Sequence, residues 1–342
     1  MNGIILFLGV LVVLVLGKPV FVPLIIAAFL WYLTNAIVAY YRKLFPYKDN
    51  NRLNKTFDII TILLTIATLG GFVYGFSTQI KPMFIELYSR LPEIQSSLIT
   101  LTHYFSDVFG IKINPSNLPN FTAIATNVSL SVGNAMLSLG IVLIYMLFMF
   151  IEQSTFKKKI SRLFPDNRKF KKVNFILDSI GSNMKKYMFM KTVVSAATAI
   201  LAYLWLNYLG VEFASVWAFV VFITNYIPTF GAIVSISLPV IYSLITASTL
   251  QIPLLVAGGL IAIQILLSNI IEPKLTGKTL NLSTLAILIN LVFWGMVWGA
   301  IGMFFSVPLL VATFIITAQF DKTRWIAILL SADGEIPDKE ED

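Results

Sequence analysis

Polar and helix-breaking residues interrupt the apolar second half of the chain at three places. The first is NYIPTFGAIVSISLP at residues 225–239, which contains Asn225, Pro228, Thr229 and Gly231. Proline removes a backbone donor and glycine permits turn geometries, so a helix is expected to break here. The carbonyl groups and helix ends that a break frees can coordinate a cation or meet an anion. The alternative is a kink that packing alone tolerates.

The second place carries a carboxylate. Glu272 follows a long apolar run and directly precedes Pro273 and Lys274. A carboxylate at a membrane boundary is either a solvated flank paired with Lys274 or a group that binds H⁺ or Na⁺. Asn269 lies three residues earlier, which predicts that its amide shares a helical face with Glu272.

The third place is FWGMVWGAIG at residues 293–302, where Gly295, Gly299 and Gly302 are the candidate breaks. Asn290 precedes them and could play the part that an asparagine plays at the first break. Amides at such positions otherwise act as hydrogen-bonding contacts between helices.

Composition explains why these interruptions matter. Of the 342 residues, 57% are hydrophobic and 12% are charged, whereas soluble domains average about 25% charged residues. Residues 213–271 and 280–320 carry no charge, and apolar runs of this length predict membrane spans. The apolar run at residues 4–16 lacks the features of a signal peptide and is interpreted as a retained helix.

Charge and residue usage narrow the function classes. The formal net charge of +8 comes from positive residues clustered between apolar runs, the pattern that sets membrane orientation, so nucleic-acid binding is not expected. Basic clusters at 42–55 and 157–186 are assigned to the cytoplasmic side, with both termini. No cysteine and a single histidine, His103, leave no Cys/His metal cluster and little support for hydrolase chemistry. An enzyme is not expected.

The fold prediction is an all-α integral membrane protein with about six full transmembrane helices plus two re-entrant helical hairpins that form an inverted repeat. Flanking charges require the segments 213–246 and 282–317 to return to the side they entered from. Two arms of about 15–16 residues reach about 23 Å each, less than the hydrocarbon core of about 30 Å. Re-entrant hairpins therefore fit better than short, tilted full spans, which remain the alternative. Paired breaks in opposed orientation are typical of inverted-repeat transporters.

This topology predicts seven regions along the chain. They are three transmembrane helices (1–77), an extracytoplasmic amphipathic helical region (78–128), a fourth transmembrane helix (129–151), a basic cytoplasmic helical linker (152–190), two repeats of a helix plus a hairpin (191–247 and 250–320), and a charged cytoplasmic tail (321–342).

Several motifs resemble the autoinducer-2 exporter family of bacterial membrane proteins. They are NYIPTFG at 225–231, NIIEPKLTGKTLNLS at 269–283, FKKKISRLFPD at 156–166, and the series Gly295, Gly299, Gly302 and Pro308. The resemblance covers essentially the whole chain. It implies a bacterial inner-membrane protein that performs secondary-active export or exchange, forms a homo-oligomer such as a pentamer, and moves its hairpin domain in an elevator-like way. Some members are described as exporters of the quorum-sensing molecule and others as Na⁺/H⁺ antiporters.

The resulting hypothesis is a transporter of a small polar solute that is driven by a H⁺ or Na⁺ gradient and needs no cofactor besides that ion. Its expected partners are the lipid bilayer, the solute and further copies of the chain. Glu272 is the expected coupling carboxylate. A Na⁺/H⁺ antiporter is the first alternative, and a channel or non-transporting membrane scaffold is the second. The expected binding residues are Asn225, Pro228, Thr229, Gly231, Asn269, Glu272, Pro273 and Asn290.

Overall fold

The computed structural model describes residues 2–44, 121–247, 249–276 and 281–336, with isolated helical positions between residues 59 and 89. This part of the chain is helical, apart from connecting turns and one isolated β-bridge. The expected all-α class is confirmed. Most of the third expected transmembrane helix and most of the 78–128 region lie outside the described residues.

Helices α1 (Asn2–Leu16) and α2 (Lys18–Leu44) follow each other with one residue between them. Helical hydrogen bonding continues through that residue, because Gly17 N donates to Val13 O at 2.8 Å and Phe21 N donates to Gly17 O at 2.9 Å. With 15 residues, α1 alone reaches about 22 Å, less than the hydrocarbon core of about 30 Å. Separate crossings by these two apolar runs therefore stay a prediction.

Helices α3 (Phe121–Leu163) and α4 (Asn167–Tyr208) contain 43 and 42 residues. At 1.5 Å per residue each reaches about 63–65 Å, twice the hydrocarbon thickness. The strongly basic sequence forms their adjoining ends. Asp166 begins α4 as its N-cap, where the carboxylate accepts a hydrogen bond from Arg168 N at 3.0 Å. The positive charges of the two long helices thus lie at their adjoining ends, apart from their apolar parts.

The second half forms two helical hairpins and a helix between them. The first hairpin consists of α5 (Ala214–Thr224) and α6 (Phe230–Thr246), and the second of α9 (Thr284–Trp298) and α10 (Ala300–Ala318). Between them lie α7 (Gln251–Gln264), a π-helical segment (Ile265–Ile271) and α8 (Glu272–Thr276). A short helix α11 (Arg324–Leu330) follows the second hairpin.

The hairpin arms are unequal, which differs from the expected 15–16 residues each. They contain 11 and 17 residues in the first hairpin and 15 and 19 in the second. By length and composition, α10 is one of four described helices that could cross a membrane, with α2, α4 and the continuous helix 251–275. The difference arises because each break lies away from the middle of its apolar segment.

Both hairpins place a residue with positive φ at the tip and a tightly packed glycine shortly after it. Thr229 has φ 59° and Gly299 has φ 72°. A Cβ on Gly231 would lie 1.8 Å from the Thr224 carbonyl oxygen, and one on Gly302 would lie 2.0 Å from the Trp294 carbonyl oxygen. Only glycine lets the two arms approach this closely.

The chain leaves helical geometry at only one of the three glycines expected to break the second hairpin. Gly299 separates α9 from α10, whereas Gly295 and Gly302 lie inside these helices. A Cβ on Gly295 would meet the flexible end of Met303 at 2.9 Å. These two glycines therefore permit close packing and do not interrupt the helix.

A C-terminal segment fastens the start of the second hairpin. Ser283 N donates to Leu330 O at 2.8 Å, and Ala332 N donates to Asn281 O at 3.0 Å, on either side of a bridge between Leu282 and Ser331. The outer surfaces of α1, α3 and α4 expose many large apolar side chains. Such surfaces are suited to lipid contact.

Candidate functional site

Polar side chains form a buried stripe along α4. Lys191, Ser195 and Thr198 recur at spacings of four and three, which places them on one helical face. Their exposed fractions are 7%, 0% and 1%. Burying polar groups in an apolar helix costs free energy, so such groups usually take part in contacts between helices or in function.

A second polar stripe lies on the helix that packs against α4. Gln264, Ser268 and Glu272 follow one another at intervals of four residues across the end of α7, the π-helical segment and the start of α8. Gln264 Nε2 donates to Ser268 Oγ at 2.8 Å. The polar face therefore continues through the change in helical winding.

Asn225 joins the two stripes from the tip of the first hairpin. Its Nδ2 donates to Ser195 Oγ at 3.2 Å. Its Oδ1 accepts from Gln264 Nε2 at 3.2 Å and from Ser268 Oγ at 3.3 Å. Asn225 is 4% exposed and ends α5, so the broken helix delivers one amide into a buried polar cluster. We name Ser195, Asn225, Gln264 and Ser268 the amide–hydroxyl cluster.

An ion pair closes one end of the stripes. Lys191 Nζ lies 2.5 Å from Glu272 Oε1, and the two side chains are 8% and 21% exposed. Lys191 pairs with Glu272, whereas Ser195, four residues later, is linked through Asn225 to Gln264 and Ser268, which precede Glu272. The two stripes therefore run in opposite chain directions. From the sequence, the candidate partner of Glu272 was Lys274. Lys191 was missed because the sequence does not show which helix faces it.

The π-helical segment decides which residues face the cluster. Hydrogen bonds from residue i to i+5 widen the turn and are frequent at functional sites. Pro273 cannot donate to the carbonyl four residues earlier, at Asn269, and its ring crowds that carbonyl, which favours the wider turn. Ser268 reaches Asn225, whereas Asn269 is exposed and Glu272 is half-buried. The expected common face of Asn269 and Glu272 assumed regular α-helical winding.

The turn after Asn225 is strained. Thr229 has φ 59° and ψ −57°, and Phe230 N donates to Pro228 O at 2.5 Å across it. This is a classic γ-turn, a rare and strained conformation for a residue with a side chain. Such strain is often found next to functional residues. Pro228 and Thr229 thus shape the tip, and Gly231 lets α6 begin against Thr224.

Tyr226 links the same tip to the second hairpin. Its hydroxyl lies 2.8 Å from Thr192 Oγ1. Its ring stacks on Phe304 of α10, with the ring centroids 4.8 Å apart. The tip that carries Asn225 is therefore held from both sides, by α4 and by the return arm of the second hairpin.

Asn290 makes its contacts elsewhere. Its Nδ2 donates to Ser306 O at 2.6 Å, and its Oδ1 accepts from Trp294 Nε1 at 3.1 Å. Both partners belong to the second hairpin. Asn290 therefore joins the two arms of that hairpin, and these contacts do not bring it to Asn225.

Comparisons with known proteins agree with the sequence motifs. The AI-2E family transporter model matches residues 4–322. The AI-2 transport protein TqsA of Escherichia coli K12 is 29% identical over 347 residues, covering 97% of this chain and 96% of that protein. A putative transport protein of Borreliella burgdorferi is 36% identical over 192 residues, covering 55% and 51%. A sodium-lithium/proton antiporter of Halobacillus andaensis is 24% identical over 364 residues, covering 94% and 96%.

The family match covers nearly the whole chain, and the named relatives are transport proteins. The four apolar helices of spanning length agree with a protein of the bacterial inner membrane. The resemblance seen in the sequence is confirmed, and the chain belongs to the AI-2E family of membrane transport proteins.

Proposed function

We propose that this protein is a secondary-active transporter that moves a small polar solute across the inner membrane, coupled to a H⁺ or Na⁺ gradient. The observation that carries the proposal is the amide–hydroxyl cluster, where the tip of a broken helix meets two antiparallel polar stripes. Substrate sites of transporters with broken helices lie where such breaks meet near the middle of the membrane.

The chemistry of the cluster suits an uncharged, hydroxyl-bearing solute. Two amides and two hydroxyls supply both donors and acceptors. In this conformation they hydrogen-bond to one another, so a solute would replace these mutual contacts with its own. The relative named as an AI-2 transport protein supports this class of solute.

The movement would be elevator-like. The two helix-plus-hairpin repeats, 191–247 and 250–320, would carry the site, and the remaining long helices would form the scaffold, in a homo-oligomer with cytoplasmic termini. The opposed chain direction of the polar stripes supports an inverted relation between the repeats. The shared tip geometry at Thr229 and Gly299 gives further support.

A cation/proton antiporter is the second candidate. Glu272 lies half-buried beside the cluster, and intramembrane carboxylates commonly bind H⁺ or Na⁺. The Halobacillus andaensis relative, named as a sodium-lithium/proton antiporter, supports this candidate. The architecture would be the same, with ions as the only cargo.

Transport by purified protein in liposomes tests both candidates. Counterflow of AI-2 is measured for the wild type, for Asn225→Ala, and for the control Asn207→Ala, which removes an exposed amide on α4. We expect Asn225→Ala to lower the rate about 10- to 100-fold, because partners of the lost amide are left unsatisfied, and Asn207→Ala to leave it unchanged. Equal rates in all three proteins would refute a role for the cluster.

A parallel measurement separates the candidates. A pH gradient is imposed on the same liposomes, and Na⁺ is added without AI-2. Collapse of the gradient with no AI-2 counterflow selects the antiporter. If neither AI-2 nor Na⁺ moves, the proposal of secondary-active transport for these cargoes is wrong.

A further inference from the structure

The pair of Lys191 and Glu272 joins two elements that also pack together through apolar side chains and through the amide–hydroxyl cluster. Lys191 belongs to α4 and Glu272 to the end of the continuous helix 251–275. Three other titratable groups are near. Tyr187, one turn before Lys191 and buried, interacts electrostatically with Glu272, and Tyr226 of the hairpin tip interacts with Tyr187. Lys274 lies on the same short helix as Glu272.

The pair lets a carboxylate reside in an apolar segment. An unpaired buried charge is strongly destabilising, so losing one partner of such a pair leaves the other in an unfavourable environment. Together the two side chains carry no net charge. The empty site can therefore stay in, and move through, a low-dielectric environment without an external ion.

A lysine is suited to a contact that must be broken and remade. Its ammonium is a compact point charge on a flexible stem, whereas arginine holds carboxylates in a rigid, two-point geometry. A H⁺ or a Na⁺ likewise brings a single positive charge to a carboxylate. Ser195, one turn further along the same face of α4, offers the displaced ammonium another oxygen acceptor.

We propose that Lys191 is a tethered cation that occupies Glu272 when no transported cation is bound, so that H⁺ or Na⁺ must displace its ammonium to reach the carboxylate. This rests on the proposed function in taking Glu272 as the coupling group. Lys191 then sets the cation concentration at which coupling begins. It also prevents an uncompensated carboxylate in the empty transporter.

Labelling with the hydrophobic reagent dicyclohexylcarbodiimide tests this competition without any transport assay. The reagent modifies protonated carboxyl groups, and mass spectrometry of the peptide that contains Glu272 gives the labelling rate. The full chain is reconstituted in vesicles as wild type, as Lys191→Met and as the control Lys185→Met, which removes an exposed lysine of α4. Glu272→Gln supplies the unlabelled baseline.

We expect Lys191→Met to label at Glu272 about tenfold faster or more at neutral pH, because no ammonium then competes with the proton for the carboxylate and a lost neighbouring opposite charge is worth about a factor of ten or more. Lys185→Met should label like the wild type. Equal rates in Lys191→Met and the wild type would overturn the proposal. Lys191→Arg keeps the charge and should label no faster than the wild type. Faster labelling of this variant would contradict the proposal, and this test holds even if Lys191→Met does not fold.

Adding Na⁺ in place of choline identifies the cation. Na⁺ that slows labelling more in Lys191→Met than in the wild type indicates a sodium site with lysine as competitor. Labelling that responds to pH alone, with the difference between the variants retained, indicates a proton. Equal slowing by Na⁺ in both proteins would mean that lysine does not compete. A chain that labels as expected but moves neither AI-2 nor Na⁺ refutes the proposed function and leaves the exchange at Glu272 standing.

Discussion

The two hairpins share a backbone plan but place different chemistry at their tips. The first opens over residues 225–229 and delivers the amide of Asn225 to polar side chains of two other helices. In the second hairpin Gly299 alone separates the two arms, and the first arm ends at Trp298. Trp298 Nε1 donates to Leu14 O at 3.1 Å, and its ring lies 4.4 Å from that of Trp294 between centroids.

Paired breaks in the backbone therefore need not carry matching polar groups. The second tip packs against the junction of α1 and α2, in an apolar cluster that includes Val22 and Val297. Its polar group, the indole N–H, satisfies a backbone carbonyl. We therefore expect the first tip to control the solute and the second to be held mainly by packing.

The largest expected effect is common to both tips. In Gly231→Ala or Gly302→Ala the new methyl group would collide with a carbonyl oxygen of the opposing arm, so backbone must move. We expect each to lower the free energy of unfolding by about 3 kcal/mol or more. The measurement is the thermal unfolding midpoint of the purified protein in detergent.

Gly258→Ala is the matched control, because a Cβ there would meet no described atom within 4 Å beyond the neighbouring backbone of its own helix. It should be neutral or stabilising, since alanine favours a helix by about 1 kcal/mol over glycine. If Gly302→Ala has the same unfolding midpoint as the control while Gly231→Ala has a lower one, only the first hairpin depends on a close approach of its two arms.

The next effect separates the two asparagines. Asn290→Ala should retain AI-2 counterflow within about threefold and lower the unfolding free energy by about 1–3 kcal/mol, because the Ser306 carbonyl and the Trp294 N–H lose their partner. Asn225→Ala should instead abolish most of the transport. Comparable loss of transport in both variants would give the second hairpin a part in the site, equal to that of the first.

Sequence reasoning found the breaks and two of the central polar residues, Asn225 and Glu272, because prolines, glycines and charges are conspicuous in apolar segments. It missed Lys191, Ser195, Gln264 and Ser268. The spacing of Lys191 and Ser195 was visible, but which helix faces that stripe depends on tertiary packing. The π-helical segment was hidden too, since a proline indicates disturbed winding without giving its form. The wider winding therefore leaves Ser268 on the face of Glu272 and turns Asn269 away from it.

The smallest effect is expected where a substitution relieves strain at a tip. Gly299 has φ 72° and ψ −147°, a conformation nearly confined to glycine, so Gly299→Ala should cost about 1–3 kcal/mol. Thr229 already carries comparable strain, and Thr229→Gly relieves it while adding about 0.5–1 kcal/mol of backbone entropy cost. We expect Thr229→Gly to raise stability slightly, by about 1 kcal/mol or less, as measured by thermal unfolding.

Transport by Thr229→Gly then tests whether the strain serves the site. A γ-turn held by threonine fixes the direction in which Asn225 enters the cluster, and glycine would let the tip sample other directions. We expect counterflow to fall about three- to tenfold although the protein is no less stable. A tenfold fall corresponds to about 1.4 kcal/mol of binding or barrier energy. Unchanged transport would mean that the hydrogen bonds of Asn225 alone orient the first tip. The two tips would then differ in the side chain they deliver and not in how rigidly they hold it.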